Sequence, residues 1–246
     1  MLGIALSSAA VTTAVVAAGY QSMAPTGQWY GRTFTGLPAG SKKLALTYDD
    51  GPNDPYTLRL LEVLAKHEVR ATFFPMGRYV KHRPDLAREV AKAGHVIGNH
   101  TFSHPNLIVA SSQRTTDELQ QCEQALMETV GEHSRLFRPP FGGRRPGTLR
   151  IARRLGLKPV MWNVAGYDWR GNPADYIEQK VTRQVSGGNV LLLHDGDHAG
   201  FGADRSQTVI ATGRLIARYK AEGYEFVTVP QMMQNEALSH QLSAIS

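Results

Sequence analysis

Asp49 and Asp50 are neighbours at the end of a short apolar run and are followed at once by Gly51-Pro52. Two adjacent carboxylates repel unless they take different partners. If one binds a metal and the other acts as a base, the conflict is resolved; the residues alone leave open which does which. An Asp-rich turn capping the next helix is the plainer reading of this pair taken by itself. His100 and His104 are four residues apart and would face one way on a helical turn. Imidazoles bind Zn²⁺ at about 2.0–2.1 Å, so with a nearby carboxylate the pair makes a two-His, one-carboxylate site with room for water and substrate. A metal there lowers the pKa of water toward ~7 and polarises a carbonyl. His194 ends the aliphatic run Val190-Leu191-Leu192-Leu193. It is either a general acid working near neutral pH or a His capping a buried strand. Arg138 precedes Pro139-Pro140-Phe141-Gly142-Gly143, a turn that is stiff and then flexible. A backbone N–H of this turn could stabilise an oxyanion, and Arg138 could keep a catalytic carboxylate ionised.

These residues need a frame. Lys43–Tyr48, Ala71–Phe74, His95–Gly98, Leu136–Arg138, Pro159–Trp162, Asn189–His194 and Glu225–Val229 read as strands. Between them, Tyr56–His67, Pro84–Ala93, Ser112–Val130, Thr148–Leu155, Asp175–Val185 and Arg205–Gly223 carry apolar residues at helical spacing. Regular alternation of strand and helix predicts a parallel sheet or a (β/α) barrel. Asp49, His100, Arg138, Asp168 and His194 all fall at or just after the C-terminal ends of predicted strands. In a barrel those ends form one rim, where active sites are built.

Thr47-Tyr48-Asp49-Asp50-Gly51-Pro52, His100-Thr101-Phe102-Ser103-His104, Arg138-Pro139-Pro140-Phe141-Gly142, Asp168-Trp169 and Leu192-Leu193-His194-Asp195 follow one another in this order. Together they resemble the five ordered motifs of the polysaccharide deacetylases, carbohydrate esterase family 4. The resemblance runs over about residues 42–235 and takes in Ala71-Thr72-Phe73-Phe74. It implies a distorted (β/α) barrel of parallel strands in a single domain. It also implies a hydrolase that removes N-acetyl, sometimes O-acetyl, groups from chitin, peptidoglycan or other envelope sugars. One divalent metal is expected, zinc first, with cobalt, nickel, manganese or iron as alternatives. Carried over residue by residue, the resemblance makes Asp49 the base and Asp50, His100 and His104 the metal ligands. Arg138 orients Asp49, the Phe141 N–H binds the oxyanion, and Phe replaces a more usual Tyr there. Trp169 and Leu192 line the pocket for the acetyl methyl, with Pro139 beside the substrate, and His194 protonates the leaving amine. One position departs: where the family often has an acid that tunes the catalytic His, this chain has Ala165. His194 is then tuned by another acid, with Asp168 the first candidate, or left with a less raised pKa.

Composition bounds the alternatives. The chain has 246 residues, 42% of them hydrophobic, and a net charge of +6. That is enough apolar content for a core and excludes a disordered chain. A single Cys, Cys122, excludes a disulfide framework and a multi-Cys zinc cluster. The basic balance first suggests an anionic partner. However, His133–Tyr167 has no acid and holds eight cations, more than the whole excess; the rest of the chain is slightly acidic. With no basic tail and no RNP-type aromatic motif, a nucleic-acid partner is not expected, and most of these cations read as a solvated helix face. Non-haem iron oxygenases share a two-His, one-carboxylate set, but they sit mostly on antiparallel β-sandwiches. A glycan-binding member of the same fold without activity is the other alternative. The expected partner is an acetylated amino-sugar polymer or oligosaccharide, and a monomer is favoured.

The first 31 residues carry no charge, and Leu2–Gly19 is apolar or small. An h-region and a Val16-Ala17-Ala18 cleavage site are present, but the basic n-region of a signal peptide is missing. The run is marginal for a membrane span, which needs about 20 apolar residues. The expectation is export or membrane anchoring at the cell envelope through residues 2–19. Residues 20–41, rich in Gly and Pro, read as a linker. The deacetylase domain is expected over residues 42–236 and a tail over 237–246.

Overall fold

The computed structural model describes residues 13 and 15–243, with residues 237–243 described by backbone alone. The expected leader therefore lies mostly outside the described residues. Its described end, residues 15–23, is a helix, α1. Among the described residues no helix is long and apolar enough to cross a membrane.

The chain then alternates strand and helix. β1 (Lys43–Asp49) leads to α2 (Tyr56–Lys66) and β2 (Thr72–Phe74). Next come α3 (Gly77–His82), α4 (Pro84–Lys92), β3 (Val96–Ile97), α5 (Ser112–Val130) and β4 (Leu136–Phe137). The second half runs α6 (Pro146–Arg154), β5 (Lys158–Pro159), β6 (Val164–Ala165), α7 (Ala174–Thr182), β7 (Asn189–His194), α8 (Ser206–Ala221), β8 (Glu225–Phe226) and α9 (Val229–Ser243). All strand pairs are parallel, in the order β3-β2-β1-β7-β6, with β8 beside β1 and β4 beside β5. A bridge from Asn99 to Phe137 joins the end of β3 to β4. Bridges from Phe34 to Val160 and from Gly36 to Asn189 carry the ring from the β5 side round to β7. The result is the expected distorted barrel, closed by an element that the sequence reading had placed outside the domain.

The side-chain period of two along a strand divides β1 between two environments. Leu44, Leu46 and Tyr48 join the core between sheet and helices, packed with Leu60, Leu64, Leu191, Leu193 and Leu215. Ala45 faces the barrel interior with Phe34, Phe74, Leu136, Val160 and Val190. Each fully buried Leu contributes about 1.5–3 kcal/mol. The same alternation points Thr47 and Asp49 inward, toward Arg138. Helix α4 starts with Pro84 in its first turn, where the missing N–H costs nothing. Helix α5 is capped by the Ser111 side chain, which accepts from the Arg114 N–H.

Residues 20–41 are not a free linker. Phe34 is a core residue, and Thr33 and Ser22 are buried. Arg144, only 1% exposed, ties this segment down. It donates to the carbonyls of Ala24 (2.7 Å), Gly27 (2.6 Å) and Gly142 (3.0 Å), while its own N–H donates to Ser22 O (3.0 Å). Gly and Pro in residues 22–41 signalled irregular backbone correctly, but irregular backbone here packs as a strap against the barrel. The boundary expected at residue 236 also falls inside a helix, since α9 runs from Val229 through Ser243. No Gly or Pro follows Pro230 to stop it. Of the eight cations in the acid-free stretch, Arg135, Arg150, Arg153, Arg154 and Lys158 are exposed. Arg138 and Arg144 are buried and belong to the interior.

Candidate active site

The strand ends converge as the barrel requires. Asp49, Asp50, His100, His104, Pro139, Phe141, Trp169, Leu192 and His194 line one cavity of about 350 Å³, together with Trp162 and His198. A larger cleft, about 680 Å³, lies between residues 28–36, Arg153, β5 and Met233, and holds none of the motif residues.

Asp50 leaves β1 in the left-handed conformation, φ 70°, which Asp tolerates better than most residues. That reversal breaks the strand alternation and lets both adjacent carboxylates reach the same cavity. They then take different partners. Asp49 Oδ1 accepts from Arg138 Nη1 at 2.8 Å, and the same nitrogen donates to Thr47 Oγ1 at 2.7 Å. Arg138 is wholly buried, its second terminal nitrogen donates to Met161 O at 3.2 Å, and its guanidinium lies 4.3 Å from the Phe74 ring centroid. Burial pushes the Arg138 guanidinium downward, and Asp49 works against that shift.

Asp50 Oδ1 lies 3.4 Å from His100 Nε2 and 3.3 Å from His104 Nε2. One ligand atom from each of these three buried residues falls within 4.8 Å of the others. Asp50 Oδ1 is also a buried oxygen with no hydrogen-bond partner among the described residues. An orphaned carboxylate oxygen between two imidazole nitrogens fits a divalent cation. Burial works against the Asp50 charge, yet the close imidazoles of His100 and His104 hold the carboxyl well below the usual range. His104 is pushed down to about 3, by burial first and then by His100.

The histidine pair reaches this point by a different route from the one expected. Residues 98–106 form no helical turn; they are an irregular loop after β3. Thr101 (φ 67°) and His104 (φ 63°) are left-handed. Asn99 Oδ1 accepts from the Thr101 N–H at 2.8 Å, and Thr101 Oγ1 from the His104 N–H at 3.1 Å. Glu118 of α5 accepts from both the N–H and the hydroxyl of Ser103. Local polar side chains outbid the helix here.

On the opposite side His194 closes β7. Its Nδ1 sits 2.9 Å from Asp168 Oδ1, and its backbone N–H donates to Asp168 Oδ2 at 2.7 Å. Thr208 Oγ1 donates to that second oxygen at 2.9 Å. Burial alone would lower the His194 pKa; the Asp168 charge and hydrogen bond instead push it up to about 9. Asp168 thus supplies the acid that is missing at Ala165. Trp169 lies edge-on to His194, ring centroids 5.2 Å apart. Leu192 is 3% exposed on the cavity wall.

The Pro139–Gly143 turn is held by Gly142 N–H to Pro139 O (3.0 Å) and Gly143 N–H to Pro140 O (2.8 Å), with Phe141 left-handed at φ 57°. The Phe141 ring is edge-on to His104 at 4.5 Å.

Several residues carry roles that their sequence context does not assign. Asp195, next to His194, is buried and accepts from Thr57 Oγ1 at 2.6 Å; burial pushes its pKa up to about 7. A Cβ on Gly51 would overlap the Asp195 carboxylate, and one on Gly196 would overlap Asp50 O. These two glycines let the ends of β1 and β7 touch. Trp162 and His198 line the cavity without any motif to announce them; His198 lies in a Gly-rich loop with no regular spacing.

The comparisons with known proteins agree with this geometry. Residues 36–160 match the family model for polysaccharide deacetylase. A peptidoglycan-N-acetylglucosamine deacetylase of Bacillus cereus is 35% identical over 205 residues, covering 83% of this chain and 73% of that protein. A chitooligosaccharide deacetylase of Sinorhizobium fredii is 36% identical over 208 residues, covering 82% of this chain and 97% of that protein. Among solved structures, the Bc1960 peptidoglycan N-acetylglucosamine deacetylase superposes with a TM-score of 0.76 at 34% identity, over 81% of this chain and 91% of that one. A family 4 pseudoenzyme from Bacillus anthracis superposes with a TM-score of 0.74 at 29% identity, over 82% of this chain and 68% of that one. The chain belongs to the polysaccharide deacetylase family, carbohydrate esterase family 4, hydrolases that act on N-acetyl amide bonds.

Proposed function

We propose that this protein is a metal-dependent N-deacetylase of an amino-sugar polymer of the peptidoglycan or chitooligosaccharide type, releasing acetate. One observation carries the reading: a cation-fitting Asp50-His100-His104 cluster lies between an Arg-bound carboxylate, Asp49, and an Asp-bound imidazole, His194. A divalent ion held by Asp50, His100 and His104, zinc first among the candidates, supplies Lewis acidity toward the acyl oxygen and makes nearby water more acidic.

The chain's own residues do the rest. Asp49 takes the proton from the attacking water, with Arg138 fixing its Oδ1 and leaving Oδ2 for that task. The Phe141 N–H is the turn's donor for the oxyanion that develops on the acyl oxygen as water adds to the acyl carbon. His194, its Nδ1 bound to Asp168, presents Nε2 to the leaving nitrogen and protonates it as the C–N bond breaks. Trp169, Leu192 and Pro139 form the apolar wall against the acetyl group and sugar.

The uncharged apolar run of residues 2–19 supports export or anchoring at the cell envelope, where such polymers are found. Sequencing the N-terminus of mature protein tests this; an intact Met1 form free in the cytosol refutes it. The activity is tested by acetate release from acetylated chitooligosaccharides, peptidoglycan and acetylxylan. Release from an N-acetylated substrate is expected. Failure on every acetylated glycan with metal bound would place this chain with the family's pseudoenzymes.

A further inference from the structure

The two imidazoles that converge on Asp50 are held differently. His100 donates from Nδ1 to Arg138 O at 2.8 Å. His104 Nδ1 is buried and has no hydrogen-bond partner among the described residues. A metal-binding His ordinarily donates its second ring N–H to a carbonyl or carboxylate, which fixes its tautomer and orientation. His104 lacks that device, so another contact must orient it.

Three rings touch it. Phe141 and His100 meet it at steep angles, 77° and 60°, with centroids 4.5 and 4.9 Å away. His198 alone lies nearly parallel to it, 23° at 4.6 Å. A ring that turns about its Cβ–Cγ bond sweeps its edges through the space of a stacked neighbour, so the parallel contact is the one that resists rotation.

The loop that carries His198 is anchored on both sides of it. Arg205 donates from Nε to Gly196 O at 2.7 Å and from Nη2 to Asp197 Oδ2 at 2.8 Å. Tyr79 donates to Asp197 O at 3.0 Å, and Arg78 to His198 O. Asn53 donates to Ala203 O and accepts from the Gly202 N–H, both at 2.8 Å. The His198 side chain itself is 44% exposed. Its Nδ1 lies 3.7 Å from Asp197 Oδ1 and 3.9 Å from Asp50 Oδ2, beyond hydrogen-bond distance from either. Among the described residues no hydrogen bond holds this ring; the anchored backbone and the Phe141 ring, edge-on to it at 5.0 Å, place it against His104.

We propose that His198 is a positioning residue for the metal ligand His104, its stacked ring replacing the missing hydrogen bond and keeping His104 Nε2 aimed at Asp50 Oδ1. This rests on the reading of Asp50, His100 and His104 as the metal site. The test titrates the metal-free full chain with Zn²⁺ alone, for wild type, His104→Ala, His198→Ala and His198→Phe. Wild type should bind one equivalent and His104→Ala should lose it. His198→Ala should bind about 10–100-fold more weakly, as for loss of other groups that orient a ligand. His198→Phe, which keeps a flat ring but no nitrogen, should stay within about threefold of wild type. Thermal midpoints of the metal-free proteins verify folding, which a half-exposed position should not disturb. Unchanged affinity in His198→Ala overturns the proposal. Equal weakening in Ala and Phe also overturns it, and makes His198 a ligand in its own right. If wild type binds no zinc, or His104→Ala binds it normally, the metal-site reading fails instead.

Discussion

Asp49 and His194 are the last paired residues of β1 and β7, directly opposite each other in the parallel register. The proposed base and the proposed acid therefore stand on adjacent strands of one hydrogen-bonded ladder, and both line the same cavity. Each is backed by an oppositely charged partner delivered from elsewhere in the chain: Arg138 for Asp49, and Asp168 for His194. One site thus holds a carboxylate paired with a cation and an imidazole paired with a carboxylate. Rigid strands carry both groups, and loops carry the metal ligands His100 and His104.

Replacing Asp49 with Asn should separate chemistry from metal binding. The amide cannot take a proton from water, so acetate release should fall by at least about 10²–10⁴-fold. Zn²⁺ titration should remain near wild type, because Asp50, His100 and His104 keep their ligand atoms. Arg138 would lose its carboxylate partner while wholly buried, so the thermal midpoint should drop as well. Acetate release at the wild-type rate would refute the role given to Asp49.

The His194–Asp168 pair should set the alkaline limb of activity. Asp168 is the leading cause that raises the His194 pKa, to about 9 from an ordinary 6.5. A cation held by Asp50, His100 and His104 would offset the contributions of Asp50 and Asp49 and leave that of Asp168. The acid form of His194 should thus persist at neutral pH and be lost as pH rises through about 9. The stability it adds follows the same sign: fully present below the unfolded value and lost through the folded one. In Asp168→Asn the alkaline limb of kcat should move down toward 6.5, as measured by a pH–rate profile. A limb that stays in place would dissociate the acid from this pair.

Much of this arrangement was legible from the residues alone. Alternating strand and helix patterns gave the barrel, because hydrophobic periodicity is local. Motif residues at strand ends gave the rim, because every strand end in a parallel barrel points the same way. What escaped depends on long-range packing. Phe34 closes the barrel through a bridge to Val160, and no local signal separates a packed Gly/Pro-rich strap from a free one. The His100–His104 spacing suggested a helical turn, but Asn99 and Thr101 bind their own backbone and make a loop. His198 is brought to His104 by anchors as distant as Asn53 and Arg78, which no spacing rule could reach.

The strap itself makes a prediction. Arg144 satisfies three carbonyls on two separate segments. Arg144→Met keeps the length of the side chain but abandons those carbonyls, at about 1–3 kcal/mol for each one left buried without a donor. Denaturant unfolding should show a loss of several kcal/mol, and deletion of residues 1–31 should cost at least as much. Unchanged stability in both would make residues 20–41 a linker after all.

Gly196 provides the sharpest steric test. A Cβ there would overlap the carbonyl oxygen of Asp50, whereas a Cβ on Gly200, in the same loop, meets nothing within 4 Å. Both changes to Ala add one methyl group and the same intrinsic backbone preference. Only Gly196→Ala must push the Asp50 backbone aside, and Asp50 is already held in a left-handed conformation that leaves it little freedom. A shift of a few tenths of an ångström in a ligand carboxylate is enough to spoil a metal site, which needs its donors within about ±0.2 Å. Gly196→Ala should therefore lose most of its Zn²⁺ affinity and acetate release, and Gly200→Ala should match wild type in both. Equal behaviour of the two variants would mean that the β1 and β7 ends are not packed closely enough for the Asp50 position to depend on Gly196.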